Sequence, residues 1–320
     1  MNPTLVLLAA GMSTRYGRLK QLEPVGPHGE ALLDYAVFDA YVAGFRRIFL
    51  IIRKELEEGF LSHIRGRWPE DLEVVFHHQK LSDMPGVEGG LLRSPEVAAL
   101  LQERKKPWGT AHALLTARPH LPGISVLLNA DDFYGLEAFQ QAVELIRGGN
   151  LAVGLPPTFG LITYTLGDTL SGHGGVSRGV CEVDGEGWLA GITEVLEIDG
   201  AEDMLHGRTV AGERVSLTGR EPISTNFWLF SPQIFPPLEA EFREFLSAQL
   251  DGRGAPPEFL IPMVMNSALR GGMARVKTTP TKGRFLGITH PGDRSYVVES
   301  LARMAARGQY PAPLWGRPAQ

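Results

Sequence analysis

The chain has almost no cysteine, no long apolar run and no strong charge of either sign. One cysteine, Cys181, in 320 residues excludes an internal disulfide framework and a cysteine-built metal centre. It sits in an alternating, strand-like run, which predicts a buried and inert thiol. No segment approaches the roughly 18 uninterrupted apolar residues that would cross a bilayer. The first residues lack a basic stretch followed by an apolar core and a cleavage site. The expectation is a cytoplasmic protein with no membrane partner. Lys and Arg number 31 against 36 Asp and Glu, a net charge of -5, so nothing general draws the chain to nucleic acid. An anionic substrate must then be met by cations gathered locally. Two clusters do so: Arg15, Arg18 and Lys20, then Arg104, Lys105 and Lys106. The second reads equally well as a solvated surface run.

What is present is ordinary for a globular domain: 43% hydrophobic and 21% charged residues. Through the first half, strand and helix patterns alternate. Strands are predicted over 4–9, 47–52, 72–76 and 124–129, and helices over 31–44, from 54, over 108–117 and over 136–147. That rhythm predicts a doubly wound, mostly parallel mixed α/β sheet. The second half carries β segments over 161–166, 176–183, 188–196 and 223–230, with no long helices between them. Helices then follow near 232–250 and 258–270, strands near 275–279 and 285–288, and a last helix over 293–306. The reading is one domain, 1–320. Residues 1–150 form a nucleotide half, and 151–320 form a second-substrate half with C-terminal helices. The polar segment 80–106 is an insertion, read as a lid or a mobile loop. The aromatic, proline-rich segment 310–315 packs on the core or on a partner, which leaves a homo-oligomer open.

The most informative stretch is Leu5-Val6-Leu7-Leu8-Ala9-Ala10-Gly11-Met12-Ser13-Thr14-Arg15. A buried strand ends in small residues, delivering a tight loop to the edge where open α/β sheets bind ligands. Gly11 admits close approach of the backbone to a phosphate. Ser13 and Thr14 add hydroxyl and N–H donors, and Arg15 adds a permanently charged fork. Gly11 and Gly17 do not make the G-x-G-x-x-G of a dinucleotide-binding dehydrogenase. A second apolar strand ends in Asn129-Ala130-Asp131-Asp132, placing two carboxylates at the same crevice. Asp131 is placed to hold Mg²⁺, which takes one or two carboxylates plus water and phosphate oxygens. Asp132 suits a turn or a helix N-cap better.

With Lys20 in Leu19-Lys20-Gln21 and with Trp108-Gly109-Thr110-Ala111-His112-Ala113, four motifs stand in order. On these the chain resembles the sugar-1-phosphate nucleotidyltransferases, the nucleoside-diphosphate-sugar pyrophosphorylases. The resemblance implies the nucleotide-diphospho-sugar transferase fold and a nucleotide site built from Ala9, Ala10, Gly11, Ser13, Thr14, Gly109, Thr110 and Ala111. It implies Gln79 as a base contact, Arg15 and Lys20 as catalytic cations, and Asp131 with Asp293 as Mg²⁺ ligands. It also implies Glu194 and Asn226 as contacts to the sugar phosphate. The residues alone leave Glu194 as a strand-end carboxylate, Asn226 as a strand amide and Asp293 as a helix N-cap. His112 is expected on a helix surface.

The implied reaction is attack of a sugar-1-phosphate oxygen on the α-phosphorus of a nucleoside triphosphate, releasing pyrophosphate. Two small-molecule substrates and Mg²⁺ are implied, and the base and sugar are left open. Many relatives carry glycine where Ser13 stands and Pro-Lys-Pro where Leu19-Lys20-Gln21 stands, and the latter form is closer to the cytidylyltransferase branch. An alternative is therefore a cytidylyltransferase acting on a non-sugar phosphate. A non-catalytic nucleotide- or sugar-sensing homologue is the other class.

Overall fold

A computed structural model describes residues 3–11, 14–15, 18–149, 151, 154–201, 204–252 and 256–316; residues 14, 15, 18, 19 and 201 are described by backbone alone. In chain order the elements are β1 (Thr4–Leu8), β2 (Thr14–Arg15), β3 (Arg18–Leu19), α1 (Leu32–Val42), β4 (Arg47–Ile52), α2 (Glu57–Ile64), β5 (Glu73–His78), α3 (Gly89–Leu92), α4 (Pro95–Glu103), α5 (Thr110–Thr116), β6 (Ser125–Asn129), β7 (Asp132–Phe133) and α6 (Leu136–Arg147). The second half adds β8 (Thr158–Thr165), β9 (Val176–Val183), β10 (Leu189–Ala201), β11 (Met204–Thr209), β12 (Arg214–Leu217), β13 (Pro222–Phe230), α7 (Phe235–Leu250), α8 (Ile261–Arg270), β14 (Arg275–Pro280), β15 (Leu286–Gly287) and α9 (Asp293–Ala306).

The first-half strands are nearly continuous apolar runs because both of their faces are covered. Successive side chains point to opposite faces, and the burial follows that alternation. Leu5, Leu7, Ile48, Leu50, Ile52, Val126 and Leu128 enter one core with residues of α1 and α6. Val6, Phe49, Ile51 and Leu127 enter the other with residues of α5, α7 and α8. The result is helix, sheet, helix in three layers.

Strands β5, β4, β1 and β6 pair in that order and in parallel. β13 joins antiparallel to β6, and both β8 and β9 pair antiparallel with it. β14 runs parallel to β8, while β10, β11 and β12 extend the sheet antiparallel from β9. The expected mixed sheet is therefore parallel in the first half of the chain and mostly antiparallel beyond it, the β8–β14 pair excepted. β11 and β12 were not expected. A two-stranded ribbon pairs Gly287 of β15 with Asp132 of β7, which draws the C-terminal segment beside the Asp131-Asp132 turn.

Segment 80–106 forms α3 and α4. Ser94 caps α4 by accepting from the Val97 N–H at 3.2 Å, with Pro95 in the first turn. Met84 and Val97 are buried in the second core. The segment 310–315 packs on the chain itself: Tyr310 donates to Asp39 at 2.9 Å, and Trp315 meets Phe38 and Tyr41 edge-on. Cys181 is buried, and burial pushes its thiol up to about 12. No helix among the described residues is long and apolar enough to cross a membrane.

Candidate functional site

A cleft of about 580 Å³ opens at the C-terminal ends of β1 and β6, where parallel strands present ligands. Its lining includes Ala10 and Gly11 after β1, Gln79 after β5, Gly109 and Thr110 at the start of α5, Asn129 and Asp131 after β6, and Asn226 of β13. Gly109 has φ +122°, and a Cβ there would lie 2.4 Å from the Phe259 carbonyl oxygen. Only glycine accommodates that turn.

Lys20 and Asp131 meet at this cleft. Lys20 Nζ donates to Asp131 Oδ2 at 2.6 Å, and both side chains keep partial exposure. Asp132 lies beside Asp131 and accepts from Asn129 Nδ2 at 3.0 Å. Burial, together with the Asp131 charge, pushes the Asp132 carboxyl up to about 6. The Asn129 Oδ1 accepts from Asn226 Nδ2 at 3.4 Å. Asn226 reaches the cleft because β13 breaks register against β8 between Ser224 and Trp228, and its φ of +65° is left-handed. Such bulges re-aim a side chain at the cost of backbone strain.

The amide of Gln79 is held from behind. His112 Nε2 lies 2.6 Å from the Asp83 carbonyl, which can only accept, so Nε2 carries the hydrogen. His112 Nδ1 then accepts from Gln79 Nε2 at 3.0 Å. The same amide nitrogen donates to the Gly109 carbonyl at 3.2 Å. Both amide hydrogens are committed, so Oε1, an acceptor, is what Gln79 can offer a ligand. The expectation of a surface His112 is corrected. The residue is fully buried, because every residue of α5 from Ala111 to Thr116 is buried and the helix has no wet face. Burial lowers His112 to about 4.

Several expected residues lie elsewhere. Ala9 and Ala111 are buried in the two cores behind the cleft. Ser13 and the side chains of Thr14 and Arg15 lie outside the described residues. Glu194 of β10 sits opposite Gly179 of β9, and burial pushes its carboxyl up to about 7 against the pull of Arg178. Asp293 begins α9 and lines a second cleft of about 610 Å³ with Arg178. Its Oδ1 accepts from the Ser171 hydroxyl at 2.5 Å and its Oδ2 from the His290 N–H at 2.7 Å. Sequence reasoning missed Gln21, Lys106, Asn129 and Glu258 in the main cleft. Lys106 was signalled by its basic run.

Among the described residues, no three His, Cys, Asp or Glu side chains converge on a metal position. The donor set at Asp131 nonetheless fits a hard dication that takes most of its ligands from phosphate and water. Two adjacent carboxylates, one of them disfavoured in its charged form by the other, suit a divalent positive charge. Asp293 has both oxygens engaged by the protein's own donors.

No family model matches the sequence, and no curated protein matches it. Solved structures do. The fold is similar to HddC from Yersinia pseudotuberculosis at 14% identity over 93% of this chain and 99% of that one, with a TM-score of 0.54. It is similar to the inositol-1-phosphate CTP transferase from T. maritima at 14% identity over 95% and 96%, with a TM-score of 0.56. It is similar to a putative glucose-1-phosphate thymidylyltransferase from Bacillus anthracis at 13% identity over 94% and 95%, with a TM-score of 0.57. At this identity the likeness shows a shared fold, that of the nucleotide-diphospho-sugar transferases.

Proposed function

We propose that this chain is a magnesium-dependent nucleotidyltransferase joining a nucleoside triphosphate to a sugar 1-phosphate, with release of pyrophosphate. The observation that carries the reading is the cleft. Gly11, Gln79, Gly109, Thr110 and Asp131 surround one cavity at the ends of parallel strands, and Lys20 pairs with that aspartate. The fold is one in which solved nucleotidyltransferases lie within nearly the same chain length.

The reaction forms a bond between an oxygen of the acceptor phosphate and the α-phosphorus, and breaks the bond from that phosphorus to the β-phosphate. The nucleophile is already an anion, so no general base is required. The obstacles are repulsion between two anions and charge gathering on the departing pyrophosphate, and positioning with fixed charge meets both. Lys20, paired with Asp131 in the free protein, is assigned to ligand phosphate, its ammonium supplying positive charge beside the carboxylate that would hold the cation. Arg15 is assigned by its motif to the leaving phosphates, and Gly11 and Gly109 let the backbone approach phosphate and base. Gln79 offers Oε1 to an N–H on the base edge. Glu194 and Asn226 are assigned to the acceptor. Asp131 would hold Mg²⁺, which neutralises phosphate oxygens of both substrates when bound. Asp293 is assigned as the second ligand; each of its oxygens accepts one hydrogen bond, from Ser171 or from the His290 N–H, and keeps a lone pair.

A second reading, a cytidylyltransferase acting on a non-sugar phosphate, is favoured by Leu19-Lys20-Gln21 and by the likeness to a CTP transferase of inositol 1-phosphate. Pyrophosphate release measured across a panel of triphosphates and phosphate acceptors separates the two. Binding of a nucleotide-sugar with no turnover for any pair would favour a sensor instead. Removing one preorganised charge costs about 10² to 10³ in turnover, and Asp131→Asn is expected to lose at least that. Near-normal turnover of folded Asp131→Asn at saturating Mg²⁺ would refute the assignment.

A further inference from the structure

Behind Gln79 lies a smaller cavity of about 290 Å³ that the proposed reaction does not use. It sits at the C-terminal ends of β4 and β5, where Arg53 follows Ile52 and Lys80 follows Gln79. Its charged lining is Arg53, Lys54, Lys80 and Lys105 against Glu55 alone. Arg53 Nη1 pairs with Glu55 at 2.7 Å. Arg53 Nε is buried and has no hydrogen-bond partner. Lys54, Lys80 and Lys105 have no ion-pair partner among the described residues. The basic triple of the sequence divides here. Arg104 is tied to the carbonyls of Lys106, Pro107 and Pro257 and stacks on Trp108 at 4.1 Å. Lys106 lines the nucleotide cleft and Lys105 lines this cavity.

Four cations against one carboxylate repel one another, and an unpaired guanidinium N–H in a closed position is costly unless a ligand accepts it. An arginine fork flanked by lysine ammoniums matches an oxyanion with several oxygens. The volume lies at the small end for ligand sites, too small for a nucleotide. We infer that this cavity is a binding site for one phosphate-class oxyanion, free or as a small phosphomonoester, beside the nucleotide cleft, with which it shares Gln79 and Pro107.

The test is titration calorimetry of the whole protein with inorganic phosphate and with methyl phosphate, each against chloride at equal ionic strength. Phosphate is expected to bind wild type and to bind Arg53→Gln about tenfold more weakly, since a charge-assisted contact is lost. Lys20→Gln, at the nucleotide cleft, is expected to bind it within about threefold of wild type, so the outcome does not depend on the proposed catalysis. Should Arg53→Gln fail to fold, the double variant Lys80→Gln with Lys105→Gln, at two exposed lysines, is expected to show the same loss. Tighter binding of the free ion assigns the site to inorganic phosphate, and tighter binding of the ester to a phosphomonoester. No phosphate binding beyond that of chloride, or equal loss in Lys20→Gln and Arg53→Gln, overturns the inference.

Discussion

Replacing Gly109 by alanine should damage stability and nucleotide binding together. The added Cβ would meet the Phe259 carbonyl oxygen at 2.4 Å and the Phe259 carbonyl carbon and nitrogen at 2.9 Å. Phe259 cannot retreat freely. Its carbonyl accepts from the Ala111 N–H at 3.1 Å, its N–H donates to the Trp108 carbonyl at 2.5 Å, and its ring packs against Phe242 and Phe245. The φ of +122° adds backbone strain of about 1–3 kcal/mol for a residue with a Cβ. Overpacking adds about 1–3 kcal/mol more. A total of about 2–6 kcal/mol corresponds to a Tm lower by roughly 3–9 °C for a domain of this size. The assay is thermal unfolding beside nucleotide binding by calorimetry. Gly90→Ala is the control, since a Cβ there meets nothing within 4 Å and α3 should gain up to about 1 kcal/mol. A Gly109→Ala protein melting within about 1 °C of wild type, with unchanged nucleotide affinity, would refute the reasoning.

Asn226→Ala should cost about 1–2 kcal/mol for its left-handed backbone, whereas Asn226→Gly should keep stability and lose only the contact to Asn129; equal melting of both variants contradicts this. His112 is held near 4 by burial against about 6.5 when unfolded, so the unfolded chain binds more protons between these values. Its contribution to stability is therefore intact above about pH 6.5 and is lost by about 3 kcal/mol as pH falls to 4. Urea unfolding from pH 8 to 4 should show that slope in wild type and a shallower one in His112→Gln. The Cys181 thiol stays protonated at pH 8, so a thiol-titrating reagent should react with the denatured protein and not with the native one; prompt native reaction would show an open site.

Sequence made the parallel half legible because its strands are buried on both faces and therefore read as unbroken apolar runs. Gly11, Gly109 and Asp131 were legible because backbone approach and a strand-end carboxylate leave few alternatives. The outer strands β11 and β12 were not. Their alternation is short and rich in exposed polar residues such as His206 and Arg208, which a pattern reader takes for loop. Helices α3 and α4 hid in a polar segment whose buried side chains are few, Val97 among them. His112 was misplaced because helical periodicity assumes a wet face that α5 lacks. Lys106 was signalled by its basic run, whereas Gln21 is in the main cleft through tertiary placement alone, which no local pattern signals.

The placement of charge along one sheet edge explains how an acidic chain can recruit anions. The connections after β1, β4 and β5 carry Lys20, Arg53 with Lys54, and Lys80, and the one entering α5 carries Lys105 and Lys106. Directly after β6 the first charged residues are instead acidic, Asp131 and Asp132. An anion approaching the strand ends meets converging positive potential, while long-range attraction elsewhere is weak. The acidic exception falls at the centre, where Lys20 already neutralises one carboxylate and a dication is suited to take over that role. Exchanging Asp131 for lysine would complete the positive edge. Greater affinity for triphosphate with loss of turnover is the outcome this arrangement requires, because attraction of the substrate and neutralisation of the reacting phosphates are assigned to different strand ends.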